Sequence, residues 1–172
     1  MISVHLFLVG LEGSGKSSLG KRLAANLNLP YLETDARVGE MLGMSPADVR
    51  QTLGEAFFHN AETGVLMDLV DQPPSVVCTG AGIPMVRENV QLMQNHGMII
   101  HIDRPLDQLM ADARSDGPQA RDPEDVRQDY TAHIGFYRAC ADRTFLNDHN
   151  LVAGAQGLTH LVEGLFASSP FP

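Results

Sequence analysis

Val4-His5-Leu6-Phe7-Leu8-Val9, mostly apolar, has the length of a buried strand. Leu19, Leu23 and Leu27 then recur every fourth residue, which predicts a helix over Ser18 to Leu27. Pro30 ends that pattern, Tyr31 to Asp35 reads as a short second strand, and Ala36 to Leu42 as a helical turn or two. Ser45-Pro46 has the cap-then-proline order of a helix start. After Gly54 a longer helix runs from Glu55 to Val70, with Phe58, Val65, Leu66 and Leu69 as its apolar positions. Pro73-Pro74 breaks it, and Val76-Val77-Cys78 is a third strand. A helix over Pro84 to Asn95 with Gly97 as its C-cap leads to a fourth strand, Met98 to Ile102. The remainder reads as a helix from Pro105 to Arg114, a polar loop from Ser115 to Pro123 and a long helix from Glu124 to Ala141. A last strand at Thr144 to Leu146, a closing helix from Gly157 to Ala167 and a frayed tail from Ser168 complete it. Strands alternating with helices imply an α/β fold whose parallel sheet is covered on both faces.

Composition narrows the partners. The 172 residues make one domain's worth of chain, and 12 basic against 21 acidic residues leave a net charge of -9. An acidic surface argues against nucleic acid or an anionic membrane as the main partner, and requires a local basic pocket for any anionic substrate. Cys78 and Cys140 suggest two core residues rather than a disulfide framework. The apolar start lacks a basic lead, and no stretch approaches the roughly 20 apolar residues of a membrane span, so a cytoplasmic location is expected.

Candidate chemistry begins directly after the first strand. Gly10-Leu11-Glu12-Gly13-Ser14-Gly15-Lys16-Ser17 fits G-x-x-x-x-G-K-[ST], the phosphate-binding loop, between a strand and a helix as that motif requires. Gly10, Gly13 and Gly15 allow positive φ, so that successive N–H groups, with Ser14 and Ser18 alongside, point at phosphate oxygens. The helix N-terminus adds partial positive charge. Lys16 is expected to reach the β- and γ-phosphates of ATP, and the Ser17 hydroxyl to ligate Mg²⁺.

In the order of its landmarks the chain resembles the shikimate kinase family over nearly its whole length. These landmarks are the phosphate loop, the acidic pair in Glu33-Thr34-Asp35, G-E-x-x-F beginning at Gly54-Glu55, the turn Gly80-Ala81-Gly82, a proline-containing lid and Phe136-Tyr137 on a helix. The resemblance implies a P-loop mononucleotide-kinase-like three-layer α/β sandwich with a five-stranded parallel sheet and a mobile lid at about 115–123. It implies ATP and Mg²⁺ as cofactors, with transfer of the γ-phosphoryl group to a hydroxyl of a small polyol acid by a monomer. Lys16 and Asp35 would carry catalysis, with Asp35 binding the acceptor hydroxyl and taking its proton. Glu33 would help to hold the metal through water. Asp35 as a helix cap, and Gly80-Ala81-Gly82 as an ordinary strand-to-helix turn, are the alternatives to these substrate roles.

The sequence departs from the family where arginines are expected. His59 stands after Phe58 and His133 before the aromatic pair, and Gly117-Pro118 takes the place of an arginine-proline pair in the lid. Arginine grips a carboxylate with two prongs and a permanent charge, whereas histidine offers fewer donors. The two histidines either form a reshaped acceptor pocket or lie half-exposed on their helices. Arg121, or Arg114 at the start of the lid, is a candidate for the lost cation; both could instead be solvated, or Arg114 could lie near the adenine. A catalytically impaired nucleotide-binding regulatory module is the alternative outside enzymology. The retained Lys16, Ser17, Glu33 and Asp35 speak against it. A nucleoside monophosphate kinase is disfavoured because Gly54 to Val86 is nearly free of basic residues.

Overall fold

The structure is a computed structural model and describes residues 2–114 and 120–167. Its centre is a sheet of five parallel strands in the order β2-β3-β1-β4-β5. These are β1 (His5–Val9), β2 (Tyr31–Glu33), β3 (Val76–Cys78), β4 (Gly97–Asp103) and β5 (Arg143–Leu146). Helices α1 (Lys16–Leu27), α2 (Thr34–Leu42), α3 (Pro46–Leu53), α4 (Glu55–Leu69), α5 (Arg87–His96), α6 (Leu106–Ala113), α7 (Pro123–Cys140) and α8 (Leu151–Ala167) connect and cover the strands.

The three layers arise from the two-residue period of the strands. Leu6 and Leu8 point to one face, where Leu19 and Leu23 of α1 and Leu158 and Val162 of α8 meet Val76, Ile100 and Ile102. Phe7 and Val9 point to the other, against Leu66, Met93, Leu109, Val126 and Tyr137 from α4 to α7. Burial on both faces makes β1 a continuous apolar run rather than an alternating one. A smaller cluster of Val38, Val49, Phe58 and Val65 holds α2, α3 and α4 together beside the sheet. No helix among the described residues is long and apolar enough to cross a membrane.

Register sets the level of the strand ends. Leu8 pairs with Cys78, and Cys78 with Glu33, so the ends of β1, β3 and β2 lie side by side. The phosphate loop, the turn after Cys78, and Asp35 therefore emerge at one edge of the sheet.

Four boundaries differ from expectation. The second strand stops at Glu33 because Thr34 and Asp35 already belong to α2, with Thr34 fully buried at its start. The helix expected from Pro84 begins as a short 3₁₀ turn, Ile83–Met85, before α5. Gly97 is extended and opens β4 instead of capping α5 in a left-handed conformation. Helix α8 starts at Leu151, six residues before the expected Gly157, with the Asn150 side chain accepting from the N–H groups of Val152 and Ala153. Of the expected lid, 115–119, including Gly117-Pro118, lies outside the described residues.

Candidate functional site

The loop between β1 and α1 has the backbone that its glycines suggest. Gly10, Gly13 and Gly15 have φ of 148°, 81° and 92°, values that disfavour any residue with a Cβ. At Gly10 a Cβ would also stand 2.5 Å from the Ile102 carbonyl oxygen, so the loop crosses β4 at backbone distance. Ser14 is buried, and its Oγ has no hydrogen-bond partner among the described residues. Lys16 Nζ folds over the loop and donates to the carbonyls of Gly10 at 2.7 Å and Leu11 at 2.9 Å. Withdrawal from water lowers the lysine's pKa, against the opposing influence of Cys78, Asp35, Glu12 and Glu33. An unsatisfied buried hydroxyl, a bent-over ammonium group and a helix N-terminus together fit a phosphate chain.

A distant residue completes the loop. Asn147, buried just after β5, donates from Nδ2 to the Ser14 carbonyl at 2.8 Å. The expected result of Asn147→Ala is a loss of about 1 kcal/mol in stability, with KM for ATP raised more than kcat is lowered; melting and steady-state kinetics measure both.

The loop opens into a cleft of 740 Å³. Its lining includes Gly13, Gly15, Lys16, Ser17 and Ser18 from the first turn, Glu33 and Asp35 from β2 and α2, and His59 from α4. Gly80, Ala81 and Gly82 form its floor. Ligand clefts of open parallel sheets lie at this carboxyl edge. Glu33 accepts a very short hydrogen bond from the Tyr31 hydroxyl, and Lys21 lies 3.9 Å away. Ser17 and Glu33 both line the cleft and are residues that could hold a Mg²⁺ ion together with phosphate oxygens and water. Among the described residues no group of three or more His, Cys, Asp or Glu could hold a metal by protein ligands alone.

The other end of the cleft is built on Gly80. Its N–H donates to Thr34 Oγ1 at 2.9 Å, which joins the turn after β3 to the start of α2. A Cβ at Gly80 would stand 1.8 Å from Glu62 Oε1 and 2.4 Å from Asp35 Oδ1, so both carboxyls press against bare backbone. Glu62 is 1% exposed, and its Oε1 has no hydrogen-bond partner among the described residues. Burial first, then the hydrogen bond and charge of Asp35, push the Glu62 pKa up to about 9. Protonation of Glu62 beside Asp35 would satisfy the orphaned oxygen. Glu62 Oε2 lies 3.0 Å from His59 Nδ1, and His59 Nε2 lies 3.5 Å from Glu55. Tyr137 donates to the Ala81 carbonyl at 3.0 Å and stacks on buried His101, which fixes the far side of the turn.

Glu62 makes stability depend on pH. Its folded pKa lies above the ordinary carboxyl value, so the folded state holds a proton that the unfolded state has released between about 4.5 and 9. Stability contributed by this group is therefore lost as pH rises through that window. Glu62→Gln should flatten this part of the Tm-versus-pH profile and leave the protein at least as stable at pH 8; an unchanged profile would assign the proton elsewhere.

Other expected residues sit apart. His133 is half-buried on α7 and does not line the cleft. Arg114 ends α6 with an exposed side chain, also outside the lining. Arg121 reaches the loop from the other side: it pairs with Asp129 through a very short contact and lies 3.6 Å from Glu12. Its pKa is raised, chiefly by the hydrogen bond to Asp129. No motif in the sequence singles out Arg50, Glu62, Thr34 or Asn147 for the site. Only Arg50 carries any local signal, as a lone cation shortly before G-E-x-x-F.

Comparison with known proteins places this geometry. A family profile described as shikimate kinase matches residues 12–163. A shikimate kinase of Synechococcus elongatus is 40% identical over 118 residues, 69% of this chain and 60% of that protein, so the match spans less than two thirds of the relative's length. One from Chromobacterium violaceum is 30% identical over 176 aligned residues, covering 98% of this chain and 93% of its own. The crystal structure of shikimate kinase from Bacteroides thetaiotaomicron superposes with a TM-score of 0.84 at 26% identity, covering 94% of this chain and 99% of that one. With the profile covering most of the sequence and the five-stranded sheet shared, the chain belongs to the shikimate kinase family.

Proposed function

We propose that the protein transfers the γ-phosphoryl group of ATP to a hydroxyl of a small polar metabolite, a hydroxy acid of the shikimate type. The observation that carries this reading is the single cleft lined both by the phosphate loop and by Asp35. Phosphoryl transfer asks little covalent chemistry of a protein and much positioning and charge neutralisation. The backbone around Gly10, Gly13 and Gly15, with Ser14, Lys16, Ser17 and Ser18, holds the phosphates. Mg²⁺, when bound, supplies neutralisation of the charge that develops on them, and Ser17 and Glu33 are the residues that hold it.

Asp35 orients the acceptor hydroxyl and takes its proton, and the bare backbone of Gly80 to Gly82 lets the acceptor lie close beneath. His59 closes the side of that pocket. Arg121, beside Glu12 and just before α7, is the cation positioned to approach the phosphate loop. His133 and Arg114 are given no substrate contact. The net charge of -9 favours a small molecule over a polyanion as partner.

ADP release by the purified protein, followed with shikimate, other hydroxy acids, sugars and nucleosides, tests the proposal. Turnover confined to hydroxy acids is the expected result. Turnover of sugars or nucleosides in preference, or ATP binding with no turnover on any acceptor, would overturn it.

A further inference from the structure

We infer that Arg50 is the residue that recognises an anionic group of the acceptor, and that this group displaces Asp35 from the guanidinium as it binds. The inference rests on the reading of the cleft as a hydroxy-acid kinase site. It starts from a shortage of positive charge. The lining carries Glu12, Glu33, Asp35 and Glu55, against Lys16 and Arg50 as its permanent cations. Lys16 is committed to the phosphate loop, where it bonds the Gly10 and Leu11 carbonyls. An acid bound at the other end therefore has Arg50 as its one permanent positive partner among the lining residues.

The histidines do not fill this role. His59 has both ring nitrogens turned toward carboxylates, Nδ1 to Glu62 at 3.0 Å and Nε2 to Glu55 at 3.5 Å. Its ring also lies close against the turn: a Cβ on Gly82 would stand 2.4 Å from His59 Cε1. His133 does not line the cleft. The positions at which the family resemblance places carboxylate-binding arginines thus present no unengaged donor to an acceptor.

Arg50 does. It arrives from α3, with Cζ 3.7 Å from the centre of the buried Phe58 ring, so its plane is fixed by a cation–π contact. Nη2 lies 3.1 Å from Asp35 Oδ2 and Nε 3.4 Å from Glu55, while Nη1 has no partner among the described residues. The side chain is 34% exposed and Asp35 37%, so the ion pair is open to competition from an incoming carboxylate. In the free protein the guanidinium covers a lone pair of the carboxylate assigned to the acceptor hydroxyl. An acid that takes over Arg50 returns that oxygen to the substrate. Recognition of the anion and release of Asp35 become one event, which favours acids over neutral polyols of the same shape.

The test uses shikimate and its methyl ester as paired probes, identical except for the charge. For the wild-type protein kcat/KM should favour the acid by about 10- to 150-fold, the range for a charged hydrogen-bonded contact. Arg50→Gln should bring that ratio to within a few fold, by raising KM for the acid, with KM for ATP nearly unchanged. Arg50→Lys, which keeps the charge and loses the fork, should recover part of the preference. ATP calorimetry on each variant certifies the fold. A preference that survives Arg50→Gln, or one lost in His59→Ala instead, would overturn the assignment. If the wild type turns over neither probe, shikimate binding measured by calorimetry separates the two ideas. Binding abolished by Arg50→Gln sustains Arg50 while the kinase reading falls, and no binding to the wild type overturns both.

Discussion

Asp35→Asn should abolish phosphoryl transfer while leaving nucleotide affinity nearly intact. Asn has the shape of Asp but cannot accept a proton, and loss of a positioned general base costs about 10²- to 10⁴-fold in rate. The structure makes the substitution a clean one. Asp35 sits in the first turn of α2 and is not part of the loop that cradles phosphates, and its polar contacts are Arg50, Thr34 and the neighbouring Glu62 carboxyl. The ion pair with Arg50 is about a third exposed on both sides, so its loss should cost under about 1 kcal/mol of stability. Single-turnover rates and ATP calorimetry on the same preparation decide the matter. A variant that keeps full rate would reduce Asp35 to a helix-start residue.

Lys16→Met should lower kcat/KM by at least about a hundredfold, the loss seen when one preorganised donor to a transition state is removed. The accompanying stability result is less intuitive. Lys16 is partly buried and its pKa is lowered, chiefly by desolvation, so the folded protein bears a cost for keeping this group charged. A base with a lowered folded pKa destabilises the fold most at low and neutral pH, and the penalty fades as pH rises toward the unfolded value. Methionine, apolar and of similar length, removes that penalty along with two hydrogen bonds to the Gly10 and Leu11 carbonyls. The expected outcome is an inactive protein whose Tm is equal to or above that of the wild type. A large drop in Tm would show that the two carbonyl contacts, rather than the charge, dominate.

Features encoded locally are legible in the chain. Gly10 to Ser17 specify their own backbone, because three positive-φ glycines and a helix start lie within eight residues. The strands β1 and β3 and the cap at Ser45 are legible for the same reason: burial on both faces and side-chain capping leave local signatures. The edges that differ from expectation are decided at a distance. Thr34 joins α2 because its hydroxyl is held by Gly80 N–H, and Gly97 joins β4 because it pairs with His5.

The site divides along the same line. Asp35 can be placed from its position after a strand beside the phosphate loop. Arg50 and Glu62 cannot, since the packing of α3 and α4 around Val49 and Phe58 brings Arg50 to the cleft and Glu62 against Gly80 behind it. His133 illustrates the converse: a position suggested by resemblance, on a helix whose buried residues, Val126, Tyr137 and Cys140, face the core elsewhere.

Asn147 gives the loop a dependence on the order of synthesis. The carbonyl it holds belongs to Ser14, 133 residues earlier, and Asn26 of α1 likewise bonds Thr159 across the same interval. A ribosome that has released the first 82 residues has produced every side chain lining the cleft, yet not the strut that sets the curvature of its nucleotide end. Truncation before residue 147 therefore leaves the described lining groups without that support.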